Sequence, residues 1–248
     1  MPYSEAAQSL ESKAISREAR VASRFCGPPK SGNGGYSAGL LGKHLGPEVE
    51  ITLKRPIPLD DSLQVVVDGS GSASLVHGPS EMASARVAKL DLDIRDAVSF
   101  SRAAEARATF PGYQAHPFPN CFVCGTNRYR GDGMCLFTGA IGKGVVASSW
   151  VPSAEFVNDE GVISAELIGS ALDCPGAWAL IDRYAIEGPF VLGRMTYRLQ
   201  KTIYAGERYV VQGWSRGQEG RKLFCGTAVY DAEGAVCAAA AATWIQLR

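Results

Sequence analysis

The chain repeats an order of elements, though not a detailed sequence. In its first half a Gly-rich turn, SGNGG at Ser31 to Gly35, leads into a short amphipathic helix, YSAGLLGKHL, which should stop near Gly46. Extended segments follow: VEITLKRPI, SLQVVVDGS, and ASARVAKLDLDI from Ala83 to Ile94, in which Ala85, Val87, Leu90, Leu92 and Ile94 are mostly two apart. In the second half a helix is predicted from about Ser164. After it come GRMTYRLQKTIY, ERYVVQGWSR, RKLFCGTAVYD and AVCAAAAATWIQL, separated by the turns AGE, GQEG and AEG. The last of these carries five consecutive alanines, Ala238 to Ala242, which favour helix by propensity. The flanking Val236, Thr243, Trp244 and Ile245 and the preceding turn favour a strand, and strand is the reading adopted. The stretch from about Ser101 to Gly133, rich in Pro, Gly and polar residues, reads as the linker, so the units are set at residues 1–110 and 111–248. Each is an α+β unit of ordinary domain size, and the chain is an imperfect internal duplication.

Charge excludes some partners. Lys plus Arg and Asp plus Glu number 25 each, so the whole chain offers no electrostatic footprint for nucleic acid or an anionic membrane. No apolar run reaches the roughly 18 to 20 residues of a membrane-spanning helix, and the N-terminal MPYSEAAQSLESKAISREAR lacks an apolar middle, which makes the cytoplasm the expected compartment. Seven cysteines suit reduced thiols better than a disulfide framework. Cys121 and Cys124 form a C-x-x-C, and a zinc set can be drawn with Cys135 and His116. A single such pair is weak, and a packed strand with a glycine turn is the preferred reading, with neither metal nor redox cofactor expected. His44, His77 and His116 are expected on solvated surface.

Two carboxylates stand out in the apolar stretch GVISAELIGSALDCPGAWAL, Glu166 and Asp173. A buried carboxylate is costly unless paired, hydrogen-bonded or protonated. Ser164 is a good helix N-cap and Glu166 falls in the first turn, where the helix dipole stabilises it, so a structural role is preferred for Glu166. Helical rise separates the two by about 10 Å, too far to share a proton. For Asp173 two readings stand: a catalytic acid or base, or a polar edge residue bonding local N–H groups just before Pro175.

PNCFVCGTNRYRGDGMCLF, VVASSWVPS and ALDCPGAWAL together resemble hotdog-fold thioesterases of the phenylacetate-pathway type, and GNGGYSAGLL resembles the first hotdog of type II acyl-CoA thioesterases. The resemblance implies a double hotdog: two antiparallel sheets, each wrapped around one central helix. It also implies a His-Gly-Gly turn with an acid nine residues beyond the histidine. The first half keeps the turn as Asn33, Gly34 and Gly35 but has Gly42 at the acid position; the second half has Ser164, Ala165 and Glu166 at the turn but keeps the acid, Asp173. One complete site then joins Asp173, as base or nucleophile, to the Asn33 side chain and to the Gly34 and Gly35 amides, unpaired at a helix start and placed to hold the thioester oxygen, and the reciprocal site is dead; a plain loop is the other reading of that turn. By the same resemblance Thr196 and Thr243, the second in place of the family's glutamine, help to hold the water, although at strand positions a β-forming role is the preferred reading of either; Tyr36 and Trp178 line the acyl slot, although core packing explains those two equally well. The implied activity is hydrolysis of an acyl-CoA or acyl-carrier thioester, with CoA thioester as substrate rather than cofactor and Lys30, Arg128, Arg130 and Arg221 as unranked phosphate ligands. The alternative is a non-catalytic acyl or acyl-CoA binding module. A hydro-lyase is disfavoured, because Trp178 stands where such enzymes carry a histidine. A monomer and a homo-oligomer both fit a chain that contains its own pair.

Overall fold

A computed structural model describes residues 15–157, 159–186 and 188–247; most of the N-terminal segment read above for its lack of an apolar middle lies outside them. The first half contributes β1 (Ile15–Ala19), α1 (Gly34–Gly42), β2 (Glu48–Leu53), β3 (Leu63–Val67), β4 (Ser72–His77) and β5 (Ser80–Val87). After α2 (Phe100–Arg107), the second half contributes β6 (Gly139–Gly142), β7 (Val145–Trp150), α3 (Ala165–Ala171), α4 (Cys174–Arg183), β8 (Phe190–Leu199), β9 (Tyr209–Glu219), β10 (Lys222–Tyr230) and β11 (Val236–Gln246).

The expected pair of sheets is one sheet. Its eleven strands run β1-β3-β4-β5-β2-β8-β11-β10-β9-β7-β6, antiparallel throughout. The weld is β2 against β8, with Glu48 opposite Arg198 and Glu50 opposite Thr196. Pairing two edge strands satisfies backbone groups that would otherwise be exposed. No helix among the described residues is long and apolar enough to cross a membrane.

Small residues set how close the helices come. The alanine run is a strand, as its flanks predict: Ala238, Ala240 and Ala242 of β11 face the helices and are buried, opposite Leu199, Tyr197 and Met195 of β8. Between the halves α1 packs on α3. A Cβ at Gly39 would lie 2.3 Å from the Ala165 carbonyl oxygen, and one at Gly35 would lie 2.2 Å from that of Gly169. The two helices therefore touch backbone to backbone, antiparallel, with the start of α1 against the end of α3.

Three local expectations are revised. The Ala83 to Ile94 alternation is a strand only to Val87. Leu90, Leu92 and Ile94 instead pack on the outer face of the C-terminal half of the sheet, against a cluster that includes Trp214, Ala228 and Tyr230. The helix from Ser164 is two helices, broken at Leu172 and Asp173, because Pro175 has no N–H to continue the hydrogen-bond ladder. Finally, the Ser164 side chain makes no capping bond to the backbone.

The helix contact makes a stability prediction. Gly39→Ala forces a methyl into the Ala165 carbonyl and is expected to destabilise the fold by about 1–3 kcal/mol. Gly142→Ala, which meets nothing within 4 Å, should change it by less than about 0.5 kcal/mol. Denaturant unfolding of the two variants measures the difference.

Candidate active site

Asn33 sits just ahead of α1 with its side chain turned both ways. Its Oδ1 accepts the Tyr36 N–H at 2.9 Å, which caps the helix, and its Nδ2 donates to Asp173 Oδ2 at 2.8 Å. The Gly35 N–H donates to the same Oδ2 at 2.9 Å. Neither bond is local, since the partners lie in opposite halves of the chain. Asp173 occupies the α3–α4 break, and the residues after it are pressed against the sheet: a Cβ at Gly213 of β9 would lie 2.4 Å from the Pro175 oxygen. Close packing on two sides thus fixes the carboxylate.

Asp173 is 2% exposed, and its Oδ1 is buried with no hydrogen-bond partner. Burial pushes its pKa from 3.8 up to about 7, and the neighbouring Cys121 adds to the rise; the Gly35 and Asn33 donors oppose it. The result is a carboxyl poised near neutrality, one oxygen anchored and the other free of partners. Such a group can accept a proton or attack an acyl carbon.

Of the other residues named from the sequence, Gly34 opens α1 and is half-buried, and Tyr36, also half-buried, stacks on Phe25 with ring centroids 4.2 Å apart. Gly35 was expected to offer its amide to a substrate oxygen, but that amide is committed to Asp173. Trp178 packs against Phe110 and His116 at 4.5 and 5.2 Å between centroids, within the core. Thr196 and Thr243 are not brought to the site. Strand alternation turns Met195, Tyr197, Ala242 and Trp244 toward the helices, so the two threonines face the other side of the sheet, where Thr196 approaches Glu50 Oε2 at 3.4 Å. The threonine that does face the helices is Thr227 of β10: it is fully buried, its Oγ1 has no partner, and a Cβ at Gly176 would lie 3.0 Å from it. Only the pairing register distinguishes it from its neighbours.

At the opposite end of the α1–α3 contact, Lys43 Nζ meets Glu166 Oε1 at 2.5 Å. Burial raises the Glu166 pKa, but the Lys43 hydrogen bond and charge outweigh it and hold the group below its usual range. Where a second acid would project from residue 42, the Tyr197 hydroxyl would be 2.2 Å from its Cβ. His116 is not on solvated surface: its Nε2 pairs with the Cys124 carbonyl at 2.9 Å. Arg128, a candidate phosphate ligand, is engaged by Asp132 at 2.9 Å.

No protein-family model matches the chain, and no curated protein matches it. Solved structures do. The tesB protein of Mycobacterium avium subspecies paratuberculosis is similar with a TM-score of 0.60 at 11% identity, over 94% of this chain and 93% of that one. A candidate thioesterase II of Thermobifida fusca gives 0.58 at 12% identity, over 96% of each chain. A conserved protein with the hotdog fold from Alicyclobacillus acidocaldarius gives 0.58 at 9% identity, over 96% and 97%. The chain has the hotdog fold across nearly its whole length.

The buried carboxyl predicts a pH dependence of stability. Below the unfolded pKa of Asp173 both states are protonated and the group is neutral in its effect. As pH rises toward about 7 the unfolded chain ionises first, so stability falls, by about 4 kcal/mol at most, and levels off above that value. In Asp173→Asn, whose amide oxygen can keep both donors, this loss should be missing. Unfolding of both chains at pH 4.5 and pH 8 checks it, and an equal pH dependence in the two would contradict it.

Proposed function

We propose that the protein is a thioesterase-like hydrolase that cleaves an acyl-CoA or acyl-carrier thioester where α1 meets the α3–α4 break. One observation carries the reading: a glycine helix start from one half and a buried carboxyl from the other meet at 2.9 Å, with the second carboxyl oxygen unpartnered. The thioesterase names among the structural neighbours agree with it at the level of the fold.

In this reading Asn33 and Gly35 position Asp173 and leave Oδ1 as the reactive atom. Ionised, Oδ1 takes a proton from water as the water oxygen bonds to the acyl carbon; alternatively Oδ1 bonds to that carbon itself, and water opens the resulting anhydride. In either route the carbon–sulfur bond breaks and the thiol leaves with a proton. With the Gly35 amide committed, the donor for the developing oxyanion is the Gly34 N–H, which opens the helix and has no acceptor within it. Tyr36, Phe25 and Phe122 form an aromatic wall beside this position. The competing reading, an acyl or acyl-CoA binding module without turnover, is favoured by the burial of Oδ1.

Hydrolysis of a panel of linear and aromatic acyl-CoAs separates the two. Asp173→Asn should lower kcat at least about 100-fold and Asn33→Ala about 10-fold, while Thr243→Val should remain within a few-fold of wild type. Turnover by Asp173→Asn within a few-fold of wild type removes the catalytic assignment. Thermal stabilisation by acyl-CoAs with no turnover establishes the binding module instead.

A further inference from the structure

Three cysteine sulfurs converge beside the Asn33–Asp173 pair and take no part in the reaction above. The sulfurs of Cys121, Cys124 and Cys174 all lie within 4.8 Å of one another, and those of Cys121 and Cys174 are 3.7 Å apart. All seven cysteines are free thiols and all are buried. The separations exceed the roughly 2.05 Å of a disulfide. They suit a shared cation better: a tetrahedral Zn–S distance of about 2.3 Å places two thiolates about 3.8 Å apart.

The surroundings are those of a thiolate cradle. Cys121 Sγ accepts the backbone N–H groups of Val123 and Cys124. The loop closes tightly behind it: Gly125 N–H donates to the Cys121 carbonyl at 2.9 Å, and a Cβ on Gly125 would lie 2.4 Å from that oxygen. The Trp178 indole N–H interacts with the Cys124 sulfur. His116 braces the loop rather than ligating, since its Nε2 pairs with the Cys124 carbonyl and its Nδ1 accepts the Phe118 N–H at 3.0 Å. The third sulfur comes from the first residue of α4, and Asn33 Nδ2 stands 3.8 Å from it. Backbone and side-chain donors aimed at sulfur are what hold metal-ligating thiolates in place.

We propose that Cys121, Cys124 and Cys174 bind one thiophilic d10 cation, Zn(II) or Cu(I), which ties the 119–125 loop to the α3–α4 break. The ligand set differs from the one drawn from sequence, because Cys174 replaces Cys135 and His116. A three-sulfur set is soft: Cu(I) accepts three thiolates as they stand, and Zn(II) adds one small exogenous ligand. Each thiol that ligates gives up its proton to solvent. The site does not depend on the hydrolase reading, and it stands or falls whether or not the protein turns over a thioester.

The test uses the full chain, reduced with a phosphine and stripped with a chelator under argon. It is titrated with Co(II) as the probe for the zinc site and, in a parallel arm, with Cu(I) against a chromogenic competitor. The expected result is one equivalent bound in at least one arm. For cobalt this comes with sulfur-to-metal charge-transfer bands and tetrahedral d–d bands, which Zn(II) displaces. Cys121→Ser and Cys174→Ser should each weaken binding at least about 100-fold, while Cys237→Ala binds as wild type. Absence of stoichiometric binding in both arms overturns the proposal, as does a Cys174→Ser chain that binds like wild type. If the serine variants do not fold, X-ray absorption on the loaded wild-type chain decides: three sulfurs at about 2.3 Å support the site, and one or none overturns it.

Discussion

The backbone contact between α1 and α3 is the constraint from which the rest of the molecule follows. Side chains at Gly35, Gly39 or Gly169 would each collide with the facing helix, so the two helices meet only because those residues carry no Cβ. At that distance the Gly35 N–H reaches across to Asp173 Oδ2, and a group in one half becomes part of an environment made in the other. The sheet reinforces the contact by running unbroken through β2 and β8, so α1 on one side of the contact and α4, which follows α3, on the other rest on the same sheet.

The two ends of this contact differ in chemistry. At one end a buried carboxyl has two donors on one oxygen and none on the other, and burial lifts its pKa toward neutrality. At the other end Glu166 is ionised and paired with Lys43, and the Tyr197 hydroxyl fills the space that an acid at position 42 would need. A charge neutralised by a lysine at 2.5 Å has little tendency to take up a proton. The contact therefore holds one carboxyl near neutrality and one ionised against its lysine.

The break between α3 and α4 is where several demands meet. Pro175 interrupts the helix, Gly213 lets the chain press onto β9, and Asp173 and Cys174 are thereby turned toward Asn33 and toward the Cys121 loop respectively. On the far side of the sheet, Leu90, Leu92 and Ile94 cover the C-terminal strands, and α2 packs on β7 there. The connection between the halves thus doubles as a second layer of core.

Sequence by itself determined the order of elements, the glycine turn opening α1 and the strand nature of the alanine run, and it singled out Asp173 as a carboxylate inside an apolar stretch, because these rest on local propensity, on turn chemistry or on a polar residue out of place in an apolar run. It did not determine what each residue faces. Thr196 and Thr243 lie on the wrong side of the sheet and Thr227 on the right one, a matter of strand register that a single chain read in order does not contain. The alternation continuing past Val87 looked like strand because a segment packed along an outer face alternates in the same way. Cys174 meeting Cys121 and Cys124, and the Gly35 amide being claimed by Asp173, depend on contacts between residues far apart in the chain, and only the folded packing of helix on helix and helix on sheet brings those atoms together.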